Sequence, residues 1–209
     1  MVEDLFKLNG NADITIIDNA STYEPLINWY KEVENDIKII RHDTNRGPWV
    51  FFHGRISSTI NSEYYVYSDA DLEVNPNMPY NWQEIMVDYI KKYNRKASLV
   101  LRIDDIPNHY EFKNTILDHQ NICWGKTDEA NVYLAVTDMT FTLDQKNKGY
   151  RYESVRIGGD FAARHIPWYI DFNNISPEEL YYLEHINTNF NDALYSNKHL
   201  KKIRDMKNI

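Results

Sequence analysis

Apolar residues fall into short blocks of two periods, and the blocks alternate along the chain. "ADITIIDNAS" alternates and then runs apolar before ending in Asp18, Asn19 and Ser21, the pattern of a strand with polar groups at its C-terminal tip. "YEPLINWYKEVE" then spaces its apolar residues near a helical period, with Pro25 early, where a first helical turn tolerates it. "IKIIRHD" predicts a second short strand closed by the turn-like "TNRGP", "WVFFHGRI" the start of another helix, and "EYYVYSDADLEV" a third strand. Beyond the breakers Asn75, Pro76, Asn77 and Pro79, "NWQEIMVDYIKKYNR" is the clearest amphipathic helix in the chain. "ASLVLRIDD" predicts a fourth strand and "NVYLAVTDMTFTL" a fifth. "SPEELYYLEHINTNF" predicts a helix opened by Ser176 with Pro177 at its first position.

Strands alternating with helices predict an α/β domain with a mixed, mostly parallel sheet. Ligands of such sheets bind at the carboxyl ends of the strands, where Asp18, the Asp69–Asp71 pair and the Asp104–Asp105 pair are all expected. Length changes this picture little: 209 residues, 43% of them hydrophobic, suit one domain with a substantial core. No repeat, low-complexity segment or interdomain linker interrupts it.

Charge narrows the partners. The net charge is −8 and Lys and Arg are dispersed, apart from a basic tract near the C-terminus, "NKHLKKIRDMK". That balance argues against binding a phosphate backbone, and the tract reads as a solvated terminal helix. Cys123 is the only cysteine, which excludes an intrachain disulfide and a cysteine-held zinc. No signal peptide or bilayer-spanning apolar run is visible, so a cytoplasmic protein without a transmembrane segment is expected (host cytoplasm, were the chain viral). Sixteen tyrosines and five tryptophans give the core bulk and supply platforms of the kind that bind sugars and bases.

The acidic pairs carry the chemistry. An Asp-x-Asp after a buried strand can bring two carboxylates to one hard cation, Mg²⁺ or Mn²⁺, which keeps room for substrate phosphates. Asp69 and Asp71 have that spacing. Asp104 and Asp105 in "LRIDDIP" read equally as a turn before Pro107, with Arg102 paired to one of them, or as a base or orienting group for an acceptor hydroxyl. Asp138 in "VTDMTF" follows a strand in the same manner with less support. His165 lies in "FAARHIPWYID", a polar–aromatic segment without helical pattern that suits a loop over a pocket. It reads as a structural histidine or as a third metal ligand beside Asp71, and Arg164 as a group that holds phosphate.

Taken in order, "ITIIDNAST", "IRHDTNRGPW", "YYVYSDADLE", "LVLRIDDIPNHY", "VYLAVTDMTFTL" and "ARHIPWYIDFNNISPEE" resemble a family of GT-A glycosyltransferases that includes bacterial sugar transferases. The set also resembles the catalytic domain of a large-virus capsid glycosyltransferase. The resemblance covers roughly Ala12 to Glu184. It implies a Rossmann-like GT-A domain, a nucleotide-sugar donor (a UDP-sugar above all), Mn²⁺ or Mg²⁺, and transfer to a hydroxyl of a glycan or glycoprotein. On this resemblance Asp69 and Asp71 match the metal motif, with Asp71 the direct ligand, and His165 matches a histidine that closes over metal and diphosphate. Asp18, Asn19 and Ser21 match the tip of a nucleotide-binding strand, Asn45 and Arg46 the next nucleotide-side loop, and Asp104 and Asp105 the place where acceptor and transferred sugar meet. The nucleotide-binding part would span about 12–75, the acceptor part about 76–185, and a helical tail 186–209. The family's fold opens with one further strand. Here only "MVEDLFKLNGN" precedes "ITIIDNAS", so that strand is expected to be missing or replaced, with the segment as the tail of a helix.

A non-catalytic nucleotide-sugar or glycan-binding domain is the alternative reading, motivated by that strand. A phosphoryl-transfer enzyme ranks third, because the chain lacks a phosphate-cradling Gly-rich loop.

Overall fold

A computed structural model describes residues 1–8, 13–53, 56–137, 140–185, 201 and 205. In chain order the elements are α1 (Val2–Leu8), β1 (Thr15–Asp18), α2 (Glu24–Val33), β2 (Lys38–Arg41), α3 (Val50–His53), β3 (Tyr64–Tyr67), β4 (Leu72–Glu73) and α4 (Trp82–Tyr93). They continue with β5 (Lys96–Leu99), α5 (Lys113–Gln120), β6 (Gly125–Lys126), β7 (Val132–Val136), β8 (Thr142–Gln145), β9 (Glu153–Ile157), β10 (Arg164–His165) and α6 (Pro177–His185). The chain is a mixed α/β protein with two compact units, one formed by Met1–Ala12 and Arg55–Tyr169, the other by Asp13–Gly54 and Ile170–Ile209. Among the described residues no helix is long and apolar enough to cross a membrane.

The first unit is built on a six-stranded sheet ordered β3-β8-β5-β9-β7-β6. Only β5 and β9 run parallel; the other four neighbouring pairs are antiparallel. The expectation of a mostly parallel sheet is therefore corrected to a mixed, mainly antiparallel one. Two causes are visible. "NVYLAVTDMTFTL" is not one strand but two, β7 and β8, and β9 was not foreseen at all. The turn between β8 and β9 reverses the chain through Asn147 and Gly149, both at φ 66°, with no helix between them.

Register gives the sheet two unlike faces. Val66, Leu143, Ala97 and Val155 line up across four strands on one face. α4 buries Trp82, Met86 and Ile90, spaced by four residues along one stripe, and packs on β5, β8 and β9. Trp82 also meets Phe141 edge to face, with centroids 5.5 Å apart. The other face is buried yet polar: Lys96, Ser98, Thr142, Asp144 and Ser154 are fully covered. Most of its groups bond one another, as buried polar atoms tend to, although Asp144 Oδ2 and Arg151 Nε have no hydrogen-bond partner. Ser98 Oγ and Thr142 Oγ1 are 2.9 Å apart, Ser154 Oγ donates to Ser98 Oγ at 3.1 Å, and Lys96 Nζ donates to Tyr67 Oη and the Thr137 carbonyl. Arg151 Nη2 reaches Asp144 Oδ1 at 2.6 Å.

Two further features of this unit position its candidate site. β4 and β10 form a two-residue antiparallel ribbon, pairing Leu72 with His165 and Glu73 with Arg164. Past the end of β5 the parallel track continues through the Leu101–Ala163 bridge and the Arg102 N–H on the Ala163 carbonyl at 2.8 Å. Asp104 and Asp105 thus lie in the following loop and not at the strand tip, which closes at Leu99.

In the second unit β1 and β2 pair in parallel, from Thr15 opposite Lys38 to Asp18 opposite Arg41. α2 joins them, with Pro25 in its first turn and Tyr30 buried. α6 opens as expected, its Glu179 N–H donating to Ser176 Oγ at 3.1 Å. The second edge of β1 has no strand partner among the described residues. The expected helix in "MVEDLFKLNGN" is present as α1, in the first unit. Asp138 lies outside the described residues, as does nearly all of 186–209.

Candidate functional site

In the first unit the β4·β10 ribbon brings together residues distant in sequence. His165 Nε2 lies 3.3 Å from Asp71 Oδ2, and the Ile166 N–H donates to the Asp71 carbonyl at 2.8 Å, fixing the register on that side. His165 packs edge to face on Trp168, 5.0 Å between centroids, while its Nδ1 is buried without a hydrogen-bond partner. Trp168 is buried within the turn Ile166–Tyr169, so the segment predicted as a loop is a short strand followed by one tight helical turn.

Whether these two side chains suit a cation can be tested on their spacing. Neighbouring ligands of an octahedral ion at about 2.1 Å sit roughly 3 Å apart, close to the 3.3 Å found between Asp71 Oδ2 and His165 Nε2. Asp71 is nearly half exposed, leaving an open side for further oxygens. Among the described residues no group of three His, Cys, Asp or Glu side chains converges. The remaining ligands would come from substrate and water, the usual habit of Mg²⁺-type sites. Asp69 is exposed two residues earlier, and its carbonyl accepts from Ser68 Oγ at 2.8 Å.

Beside the ribbon, Asp105 is enclosed by donors. Arg164 Nε and Nη2 reach Oδ2 at 2.8 and 2.7 Å, Tyr169 Oη donates to Oδ1 at 2.5 Å, and Arg102 Nη2 lies 3.2 Å from Oδ2. Burial pushes the Asp105 carboxyl up, but the Tyr169 and Arg164 hydrogen bonds and the Arg102 charge outweigh it and hold the group below its ordinary value. Burial, reinforced by the same carboxylate, pushes the Tyr169 hydroxyl well up. Asp104 points to solvent in a two-bonded pair with Arg102, at 3.2 and 3.1 Å, and the Arg102 guanidinium holds it below its ordinary value. Arg102 therefore pairs with both aspartates. Arg164 is committed as well, since it also meets Glu73 at 3.3 Å. A guanidinium so engaged must exchange partners before it can hold phosphate.

The second unit holds the other set. Asp18 is buried at the tip of β1, its Oδ2 taking Arg41 Nε at 3.0 Å and its Oδ1 the Ser21 N–H at 3.2 Å. Asn19 ties the loop after β1 to the loop after β2. Its Oδ1 accepts the Arg46 N–H at 2.8 Å, and its Nδ2 donates to Asn45 Oδ1 at 2.9 Å and to the Gly47 carbonyl at 3.0 Å. Between the loops lies an open cleft of about 370 Å³ lined by Ala20, Ser21, Thr22, Arg41, His42 and Asp43. The predicted nucleotide-side residues thus shape the cleft more than they face it. Arg41, His42 and Asp43 were missed as lining residues, although Arg41 ends β2 and the other two lead into the marked loop of Asn45 and Arg46. Glu73 was also missed; it stands in β4 opposite Arg164, whose guanidinium it meets at 3.3 Å.

No protein-family model matches the chain, and no curated protein matches it.

Proposed function

We propose that the chain is a metal-dependent glycosyltransferase of the GT-A type, moving a sugar from a nucleotide-diphosphate donor, a UDP-sugar above all, to a hydroxyl of a glycan. One observation carries the reading. Asp71 and His165, chosen from sequence as ligands of one cation, stand 3.3 Å apart on a single ribbon. When bound there, Mn²⁺ or Mg²⁺ would neutralise the diphosphate that leaves as the glycosidic bond breaks. Asp71 and His165 would hold it, with Asp69 in support. The cleft of the second unit, its loops held by Asp18 and Asn19, suits a nucleoside. Asp105, fixed by Tyr169 and Arg164, orients a hydroxyl of the sugar or acceptor.

The test is turnover of UDP-sugars with Mn²⁺ by the wild-type chain and by Asp71→Ala. Loss of at least about a hundredfold is expected, since changing even the groups that support a metal ligand costs about 10–100-fold. Equal turnover by both proteins would sink the metal role.

A second reading, a nucleotide-sugar-binding domain without catalysis, is favoured by the state of Asp104 and Asp105. Both are ion-paired and held below their ordinary values, which makes either a poor base. Calorimetry separates the two readings: donor binding with no turnover on any acceptor supports this one, and donor hydrolysis rejects it.

A further inference from the structure

The cleft of the second unit has two walls, held in different ways. Arg41–Asp43 continues β2, and Arg41 is anchored on the buried Asp18 carboxylate. The facing wall, Ala20–Thr22, is a turn in which Ala20 adopts φ 69°, a left-handed conformation that strains a residue bearing a Cβ. Its first half is well tethered: the Ser21 N–H bonds Asp18, the Ser21 carbonyl accepts from Arg41 at 3.2 Å, and Asn19 bonds the loop of Asn45 to Gly47. Those tethers stop short of Thr22. The Thr22 hydroxyl instead shares a 2.8 Å hydrogen bond with that of Tyr181, 159 positions away on α6.

Tyr181 is well placed to act as an anchor. Its ring stacks on His185 with centroids 3.8 Å apart and planes 13° from parallel, and its other neighbour is Tyr23, tilted at 4.9 Å. His185 Nδ1 lies 2.8 Å from the Tyr181 carbonyl, closing the column on its own helix. A ring in contact with two others has little rotational freedom left to lose, which holds its hydroxyl near one position. It can therefore hold Thr22 against the tendency of the strained turn to relax at Ala20.

We propose that Tyr181 is a positioning residue for the nucleoside cleft, setting through Thr22 the wall that a nucleoside meets. The inference rests on the reading of that cleft as the nucleoside site. It adds a distant helix to the elements on which affinity depends, through a contact that the sequence spacing conceals.

The experiment titrates UMP, which carries the nucleoside and a single phosphate, calorimetrically into the full chain, into Tyr181→Phe, Thr22→Val and Thr22→Ser, and into the Tyr181→Phe/Thr22→Val double variant. Tyr181→Phe keeps both ring contacts, and melting curves check that each variant folds. Each of Tyr181→Phe and Thr22→Val is expected to weaken UMP binding about fivefold, the loss typical of one hydrogen bond. The double variant should weaken it no further, because both changes remove one shared contact, and Thr22→Ser, which keeps the hydroxyl, should recover most of the binding lost in Thr22→Val. Wild-type affinity in Tyr181→Phe, or losses that multiply in the double variant, would overturn the positioning role and leave the nucleoside site standing. A wild-type chain that binds no UMP would overturn that site and the inference together.

Discussion

Replacing Tyr169 by Phe removes one oxygen from the donors around Asp105 and leaves the ring in place, still beneath the Arg164 guanidinium at 5.5 Å. The lost contact is the 2.5 Å hydrogen bond to Asp105 Oδ1, while Arg164 and Arg102 stay on Oδ2. A hydrogen bond to a charged group contributes about 1.5–3 kcal/mol. The Asp105 side chain is 23% exposed, so water partly replaces the phenol, and the low end, about 1.5 kcal/mol, applies. At about 2–4 °C per kcal/mol for a chain of this size, the melting midpoint should fall by about 3–6 °C near neutral pH. The pH dependence is the sharper readout. The folded state holds the Asp105 carboxyl below its ordinary value, so the contribution is fully present above the unfolded value and is lost as pH falls through the folded one. The gap between wild type and variant should therefore be full at pH 6–7 and shrink below about pH 4. A gap that is absent at neutral pH, or equally large at pH 3, would refute the enclosure of Asp105 as a charged acceptor.

Alkaline pH should unfold the protein over a window set by its tyrosines. Burial, reinforced by Asp18 beside Tyr30 and by Asp144 beside Tyr65, pushes both hydroxyls up to about 12. Their folded values lie above the unfolded value of about 10, so their stabilisation is intact below that pH and is lost as pH climbs toward 12. Phenolate absorbance and circular dichroism should change together there; ionisation of every tyrosine near pH 10 with the fold intact would contradict the burial. Gly125→Ala should lower the urea midpoint, because an added Cβ at Gly125 would come within 2.2 Å of the Leu134 carbonyl oxygen. A loss of about 1–3 kcal/mol is expected from such overpacking, and an unchanged midpoint would show that β6 detaches freely from β7.

Elements with strong local periodicity were legible in the sequence: α2, α4, α6, β1 and β2 stand where the pattern placed them, while β3 and β5 lie within their expected segments but end at Tyr67 and Leu99, short of the acidic pairs. α5 and β9 were not, because α5 has little apolar stripe and β9 carries Ser154 and Arg156 on a face that is buried. Inward polar residues are invisible to a rule that equates polar with exposed. Sheet direction was misjudged for a related reason: strand polarity depends on which strands neighbour each other, which local pattern does not encode. At the candidate site, residue types pointed to Asp71 and His165, but only register brings them side by side. Asp18, Asn19 and Asn45 were marked as ligand-facing, whereas their hydrogen bonds hold the two loops and β2 to one another. Sequence shows where polar groups gather and not which of them are already bonded.

The β4·β10 ribbon also constrains the order in which this protein can assemble. It joins positions 91 residues apart through two pairs of residues. Closing a flexible loop of that length costs about 4 kcal/mol in chain entropy beyond a constant term. A few exposed ion pairs and two rungs of ladder cannot offset that from an open chain. The intervening β5, β8 and β9 must first draw the ends together, so that the ribbon closes a gap already shortened by the sheet. The pair of Asp71 and His165 is then among the last things folding makes and among the first that local opening undoes. On the proposed reading, catalytic competence would be a property of the completed sheet, and a nascent chain halted before Arg164 would present Asp71 without His165 beside it.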